Sequence, residues 1–183
     1  MKTLLKLFVA IVIMAGLTTT AKAQVTLTGN TAGAELVKVL TITNTTPLYF
    51  GRIGITSGTV GTVVMSTAGV RTPGAATTRI INTGTARTVA LFSLTGTSGA
   101  VYTVNLPPSI AVTTGVGTGN YATTINALTV NVDAAGEVAY GSIGTCTLTA
   151  GVSTFLMAGT LNIKAAQELG VYAGTYDVTV DYQ

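Results

Sequence analysis

Few residues of this chain are suited to chemistry, and their spacing argues against most kinds of it. There is no histidine and one cysteine, Cys146, so the usual Ser–His and Cys–His nucleophile–base pairs are missing. Carboxylates remain. Asp177 and Asp181 share a face of an alternating run, but four residues of strand separate them by about 13 Å, more than the roughly 5–9.5 Å of paired glycosidase carboxylates. Only the fold can bring Glu168 to either. Asn131-x-Asp133-x-x-Gly136-Glu137 begins like a calcium loop, yet the fifth and twelfth positions fall on Ala135 and Ser142, which supply no carboxylate; a hairpin turn is the better reading. No helix follows Gly115, Gly117 and Gly119, so a phosphate cradle is unsupported. Arg71, Arg79 and Arg87 recur at eight-residue intervals, but turn signals between them break any single strand and leave a solvated face. Tyr49, Tyr102, Tyr121, Tyr140 and Tyr172 suit a sugar-stacking platform if exposed, though an apolar core claims such residues more often. The reading is of a protein that is not an enzyme, with no catalytic, cofactor-binding or metal-binding residues.

The elements that carry these residues are strands. Thr, Gly, Val and Ala dominate, no stretch keeps a 3.6-residue period for three turns, and short alternating runs are punctuated by turn residues. Strands are expected over Glu35–Asn44, Leu48–Ile53, Thr59–Ser66, Thr77–Asn82, Thr88–Thr95 and Val101–Leu106, then Ile125–Val132, Val138–Tyr140, Thr145–Thr149, Thr154–Ile163 and Thr175–Tyr182. Turns fall at Thr45–Pro47, Thr72–Gly74, Asn82–Gly84, Thr97–Gly99 and Asp133–Gly136, Pro107-Pro108 ends a strand sharply, and Ala165–Leu169 is a short helical connector. The fold class is all-β, an antiparallel sandwich. The last run is the most regular: Tyr176, Val178, Val180 and Tyr182 fall on one face, Thr175, Asp177, Thr179 and Asp181 on the other. A domain ending on a strand must resolve what pairs with that strand's far edge.

Met1–Ala23 reads as a secretory signal peptide: Lys2 and Lys6, an apolar run over Leu7–Leu17, and the small-x-small site Ala21-Lys22-Ala23. The run is shorter than the roughly 18–20 residues of a membrane span, and no later segment reaches that length. Three of the nine basic residues leave with the signal, so the formal charge of +3 belongs to the precursor. The mature chain is neutral, which removes the main support for a nucleic-acid partner and gives little protection against self-association. Its roughly 160 residues make one domain, here 35–183, after an N-terminal arm, 24–34. Within that arm Val25 and Leu27 alternate with threonines before Gly29-Asn30-Thr31-Ala32-Gly33; a weak strand, a linker and a disordered arm all fit. Cys146 has no intrachain partner and is either an intermolecular bridge or a small buried hydrophobe.

Leu48-Tyr49-Phe50-Gly51-Arg52-Ile53 resembles the L-x-F-G-x-I early strand of an uncharacterised family of secreted bacterial β-domains. Further pieces are similar in order: Ala100–Pro107, Gly159–Ile163, and Ala173-Gly174-Thr175-Tyr176 leading into Val178-Thr179-Val180-x-Tyr182. That resemblance spans Ala34 to the C-terminus and implies a fold sooner than a function. The C-terminus also resembles chaperone–usher pilus subunits, including the spore-coat-U-like archaic group, in Gly170 fourteen positions from the end, the alternating Tyr176, Val178 and Val180, and the penultimate Tyr182. This resemblance implies an immunoglobulin-like sandwich lacking its last strand. It further implies a groove bordered by Gly170, Tyr176, Val178, Val180 and Tyr182, covered first by a periplasmic chaperone and then by the arm of the next subunit, with Val25 and Leu27 as donor residues. The family's intrachain disulfide is impossible here.

The expectation is therefore a structural subunit of a surface fimbria-like fibre. It is exported to the periplasm and then the cell surface, with like subunits, a periplasmic chaperone and an usher as partners and no cofactor. The rival is a monomeric, secreted, glycan-binding sandwich whose last strand is paired within the chain. A small outer-membrane barrel fits less well, because Gln183 ends the chain where such barrels end on an aromatic residue.

Overall fold

A computed structural model describes residues 28–29, 31–74, 78–116 and 119–183. The signal peptide expected over Met1–Ala23, and Val25 and Leu27 of the arm, lie outside the described residues. The chain divides into two units, Met1–Glu35 and Leu36–Gln183. In the first, the described residues are exposed and carry no strand; the second holds the fold.

Among the described residues of that unit there are thirteen strands: β1 (Thr41–Thr46), β2 (Arg52–Ile55), β3 (Gly61–Met65), β4 (Arg71–Pro73), β5 (Thr78–Ile81), β6 (Ala90–Thr95), β7 (Val101–Asn105), β8 (Ile110–Thr113), β9 (Ala122–Val132), β10 (Val138–Ala139), β11 (Cys146–Thr147), β12 (Val152–Ile163) and β13 (Thr179–Tyr182). All their pairings are antiparallel. The spine is β12. Its first half pairs with β6 and its second half with β3 along the same edge, while β9 overlaps both stretches and so occupies the other edge. Flanking strands β1, β4, β8 and β10 complete an eight-stranded sheet; β11-β7-β13 form a second sheet and β2-β5 a two-stranded ribbon.

The two-residue period explains the layers. Ala90, Phe92 and Leu94 of β6, Val63 and Met65 of β3, Phe155 and Met157 of β12, and Tyr102 and Val104 of β7 are buried in one core cluster. Burying each large apolar side chain contributes about 1.5–3 kcal/mol. Phe92 and Phe155 are cross-strand partners, their rings stacked with centroids 4.6 Å apart. In β9 the buried positions change phase, from Thr123 and Ile125 to Leu128 and Val130. The extra residue is Ala127, at φ 43°, where the pairing with β12 shifts register, the signature of a β-bulge.

The architecture is the expected all-β antiparallel sandwich, with local departures. Glu35–Asn44 is laddered only from Thr41, and Leu36–Leu40 precedes the strand. Leu48–Ile53 breaks at Gly51, whose φ of 72° suits glycine. The Thr72–Gly74 turn is in part strand β4, and β8 follows Pro107-Pro108 where no strand was predicted. The connector Ala165–Leu169 is a turn closed by Gln167 N–H on the Lys164 carbonyl at 3.1 Å. No helix of the described residues is long and apolar enough to cross a membrane.

Candidate functional site

The C-terminal segment turns its alternation into geometry. Tyr176, Val178, Val180 and Tyr182 are half-buried against the core, and Thr175, Asp177, Thr179 and Asp181 are exposed. One edge of β13 pairs with β7, Val180 opposite Val104 and Tyr182 opposite Tyr102. As the last strand of its sheet, β13 has no strand on its outer edge among the described residues. Nearer Gly170, Ala173 and Thr113 of β8 exchange backbone hydrogen bonds of 2.8 and 2.9 Å. Between these attachments residues 174–178 belong to no ladder, although Thr175–Tyr182 was expected to be one strand. Gly174 allows the close approach to β8, since a Cβ there would run into the Ala111 carbonyl oxygen.

Beside this segment a cleft of about 590 Å³ opens toward residues 48–55, with Ile110, Val112, Ile125 and Ile163 of the core in its lining. A second hollow of about 420 Å³ shares Gly174 and Tyr176 with the first and continues along Ile42, Asn44 and Phe92. At their junction the Tyr176 hydroxyl is buried and makes no well-formed hydrogen bond among the described residues. Burial pushes its pKa up, and a polar contact with the Asn44 side chain, too poor in geometry to count as a hydrogen bond, pulls it down by less.

Each end of the C-terminal segment is fastened differently. At one end the Tyr182 hydroxyl accepts from Thr97 N–H (2.7 Å) and donates to the Lys38 carbonyl (2.8 Å), while Lys38 N–H donates to Thr97 Oγ1 (2.7 Å). At the other, Gln167 Nε2 donates to the Asn120 carbonyl and to Tyr172 Oη, each at 2.6 Å, and Tyr172 Oη donates to the Glu168 carbonyl at 2.7 Å. The wall at Gly51 is held by Arg71, whose Nη1 donates to the Phe50 and Arg52 carbonyls (2.8 and 3.3 Å) and Nη2 to Asn82 Oδ1 (2.9 Å). Nearby, Arg87 Nε donates to the Gly69 carbonyl. Burial, and the like charge of Arg87, lower the Arg71 pKa. Arg71 and Arg87 are thus backbone clamps, where the sequence spacing suggested only a solvated face.

The remaining chemistry-bearing groups are dispersed. Asp133 turns to β12, its carboxylate accepting from Ser153 Oγ and Thr154 N–H, both at 2.7 Å. Glu137 accepts from Thr67 N–H (2.9 Å) and Oγ1 (3.0 Å). The segment between them is the expected hairpin turn joining β9 to β10. Tyr102 is fully buried and its hydroxyl lies 2.6 Å from Ser153 Oγ. The Tyr140 hydroxyl accepts from Leu106 N–H at 2.7 Å, so the five tyrosines form no single platform. Cys146 is a free, half-buried thiol whose pKa burial raises.

Of the five residues read as groove-bordering, Gly170 and Tyr176 line the larger cleft, and Tyr176 and Val178 the smaller. Val180 and Tyr182 lie beyond them on β13. Sequence reasoning missed the opposite wall, Leu48–Ile55. The glycine breaking that strand was its available signal, but the carbonyls gripped by Arg71 are brought to it only by the fold.

A family model described as a domain of unknown function, DUF4402, matches residues 40–182. No curated protein matches the chain.

Proposed function

The chain belongs to the DUF4402 family, and we propose that it is a non-enzymatic structural subunit of a bacterial surface fimbria-like fibre that assembles by strand donation between copies. The observation that carries this reading is the groove. The unladdered segment 174–178 borders a cleft of about 590 Å³ lined in part by core side chains and leads into β13, the last strand of its sheet. An added strand supplies backbone partners along such an edge and apolar side chains for its hollows, and because donor and acceptor surfaces differ, the contact propagates into a filament. The donor is the arm 24–34, with Val25 and Leu27 entering the groove beside Gly170, Tyr176, Val178, Val180 and Tyr182. A periplasmic chaperone covers the groove before an usher passes the subunit to the cell surface. Expressing the mature chain with and without Gln24–Ala34 tests this. Heat-sensitive, SDS-resistant ladders that vanish with the arm support it; a monomer indifferent to the deletion sinks it.

A second reading, an exported monomeric glycan-binding module, draws on the cleft's size, which lies within the roughly 300–1,000 Å³ of small-molecule sites, and on Tyr49 and Tyr172 in its lining. Binding on a glycan array that is lost in folded Tyr49→Ala and Tyr172→Ala variants supports it; absence of binding by the intact chain counts against it.

A further inference from the structure

Charge is segregated along this chain. From Leu36 to Val132 there are five cations, Lys38, Arg52, Arg71, Arg79 and Arg87, and no acid; from Asp133 onward there are five acids and one cation, Lys164. The fold gathers the four arginines at the Gly51 end of the groove. Arg71 grips the Phe50 and Arg52 carbonyls, and Arg87 backbone N lies 3.3 Å from where a Gly51 Cβ would be. Arg52 and Arg79 are exposed on one face of the β2–β5 ribbon, set by the pairs Arg52↔Ile81 and Gly54↔Arg79. Leu169 and Val171, 83% and 77% exposed, line the same cleft as Arg52.

The other end is complementary. Where Tyr182 holds Lys38, the neighbouring Leu36 and Val39 are 94% and 75% exposed, Glu35 precedes Leu36 in the chain, and exposed Asp181 adjoins Tyr182. A strand along the edge of residues 174–182 covers about 26 Å, and eleven arm residues reach about 36 Å. Laid antiparallel, like every strand pair of this domain, it enters at Tyr182 and emerges at Gly170, bringing the donor's Glu35 to the arginines. Laid parallel, it would bring Glu35 to Asp181, a like charge.

We propose that Arg52 and Arg79, with Leu169 and Val171, form a docking surface for the arm-proximal end of a second copy, meeting its Glu35 and Asp181 and its Leu36 and Val39. This rests on the strand-donation reading above. Glu168 at the arginine end and Lys38 at the other oppose the pairing, but four arginines outnumber the first and two acids the second. Complementary charge raises the rate of encounter and loses that effect as salt screens it.

The test is a charge swap in the mature chain, read as the rate of ladder formation at low and high salt. Arg52→Glu/Arg79→Glu is expected to assemble about tenfold more slowly than the unaltered chain at low salt, as is Glu35→Arg/Asp181→Arg, because each presents like charges at both ends. Mixed, the two variants are expected to recover most of the rate by alternating. Unchanged rates for the single populations, or no recovery on mixing, overturn the docking surface while leaving strand donation intact. If the unaltered chain forms no ladders, or arm deletion spares them, strand donation fails and the docking surface falls with it. Thermal melts verify folding, and Arg79→Gln alone, expected to slow assembly by a smaller factor, serves if the double variant does not fold.

Discussion

Two tyrosines define two regions of this domain. The Tyr102 hydroxyl, deep between the sheets, lies 2.6 Å from Ser153 Oγ, which donates in turn to Asp133 at 2.7 Å. The Tyr176 hydroxyl, at the junction of the two hollows, is also buried yet makes no well-formed hydrogen bond among the described residues. Satisfied polar networks rigidify the core around them, whereas an orphaned hydroxyl forfeits a hydrogen bond that a partner could supply. The β6–β12–β9 side is laddered and so finished in its backbone, though Thr129 Oγ1 of β9 also lacks a well-formed hydrogen bond; the 174–178 side is unfinished in both backbone and side-chain terms.

The largest expected effect breaks the finished side. Phe155→Ala removes the ring stacked on Phe92 and should lower unfolding stability by about 3–5 kcal/mol, read as a fall in urea midpoint. Val178→Ala, half-buried at the groove, should lower it by no more than about 1.5 kcal/mol while weakening ladder formation. Equal losses in stability would erase the distinction between the two regions.

Removing single hydroxyls sharpens it. Tyr102→Phe leaves the Ser153–Asp133 pair short of a partner and should cost about 1–3 kcal/mol; Tyr176→Phe removes a hydroxyl with no well-formed hydrogen bond and should be neutral or stabilising. Alkali tests the Tyr102 site directly. Burial, which outweighs the Ser153 hydrogen bond, pushes the Tyr102 pKa up to about 12 from about 10 in an unfolded chain. The folded state then retains a proton that the unfolded state has lost, so this contribution is present below pH 10 and disappears between about pH 10 and 12. Unfolding curves across that window should lose part of their slope in Tyr102→Phe; an unchanged slope would remove Tyr102 as its source.

A smaller change acts on the attachment between the regions. A Gly174→Ala methyl would run into the Ala111 carbonyl oxygen, so the paired bonds between Ala173 and Thr113 should loosen, at about 1–3 kcal/mol of strain. Hydrogen exchange should quicken at those two amides and stay unchanged in β6 and β12; uniform quickening would mean the attachment is not local.

The contrast between these regions also sets what was legible in the sequence. Strand periodicity is written in residue type, so the half-buried face Tyr176, Val178, Val180 and Tyr182 was readable, as were β6, β7 and β12. The phase change in β9 was not, because Ala127 has no preference for positive φ and only the bulge imposes it. Nor could spacing reveal that Arg71 clamps the Phe50 carbonyl, a contact across 21 positions. The end of the β13 ladder at Thr179 depends on where β7 stops, which no local pattern in the C-terminal run encodes.

The smallest expected effect lies at Glu137, on the finished side, where hydrogen bonds rather than apolar burial set the energetics. Desolvation raises its carboxyl pKa, but the Thr129 hydroxyl and the Thr67 N–H and hydroxyl together outweigh it and leave the pKa below 4.5. The folded state therefore releases its proton more readily than the unfolded one. The resulting stabilisation is present above the unfolded value and is lost as the pH falls through the folded pKa. The group is largely exposed, so solvent screening keeps the effect to about 0.2–1 kcal/mol. Glu137→Gln should lower stability slightly at pH 7, and the gap to the unaltered chain should close as acid titrates that chain below pH 4.5. A gap that persists at pH 3 would assign the loss to the amide's poorer fit against Thr67 instead of to the charge.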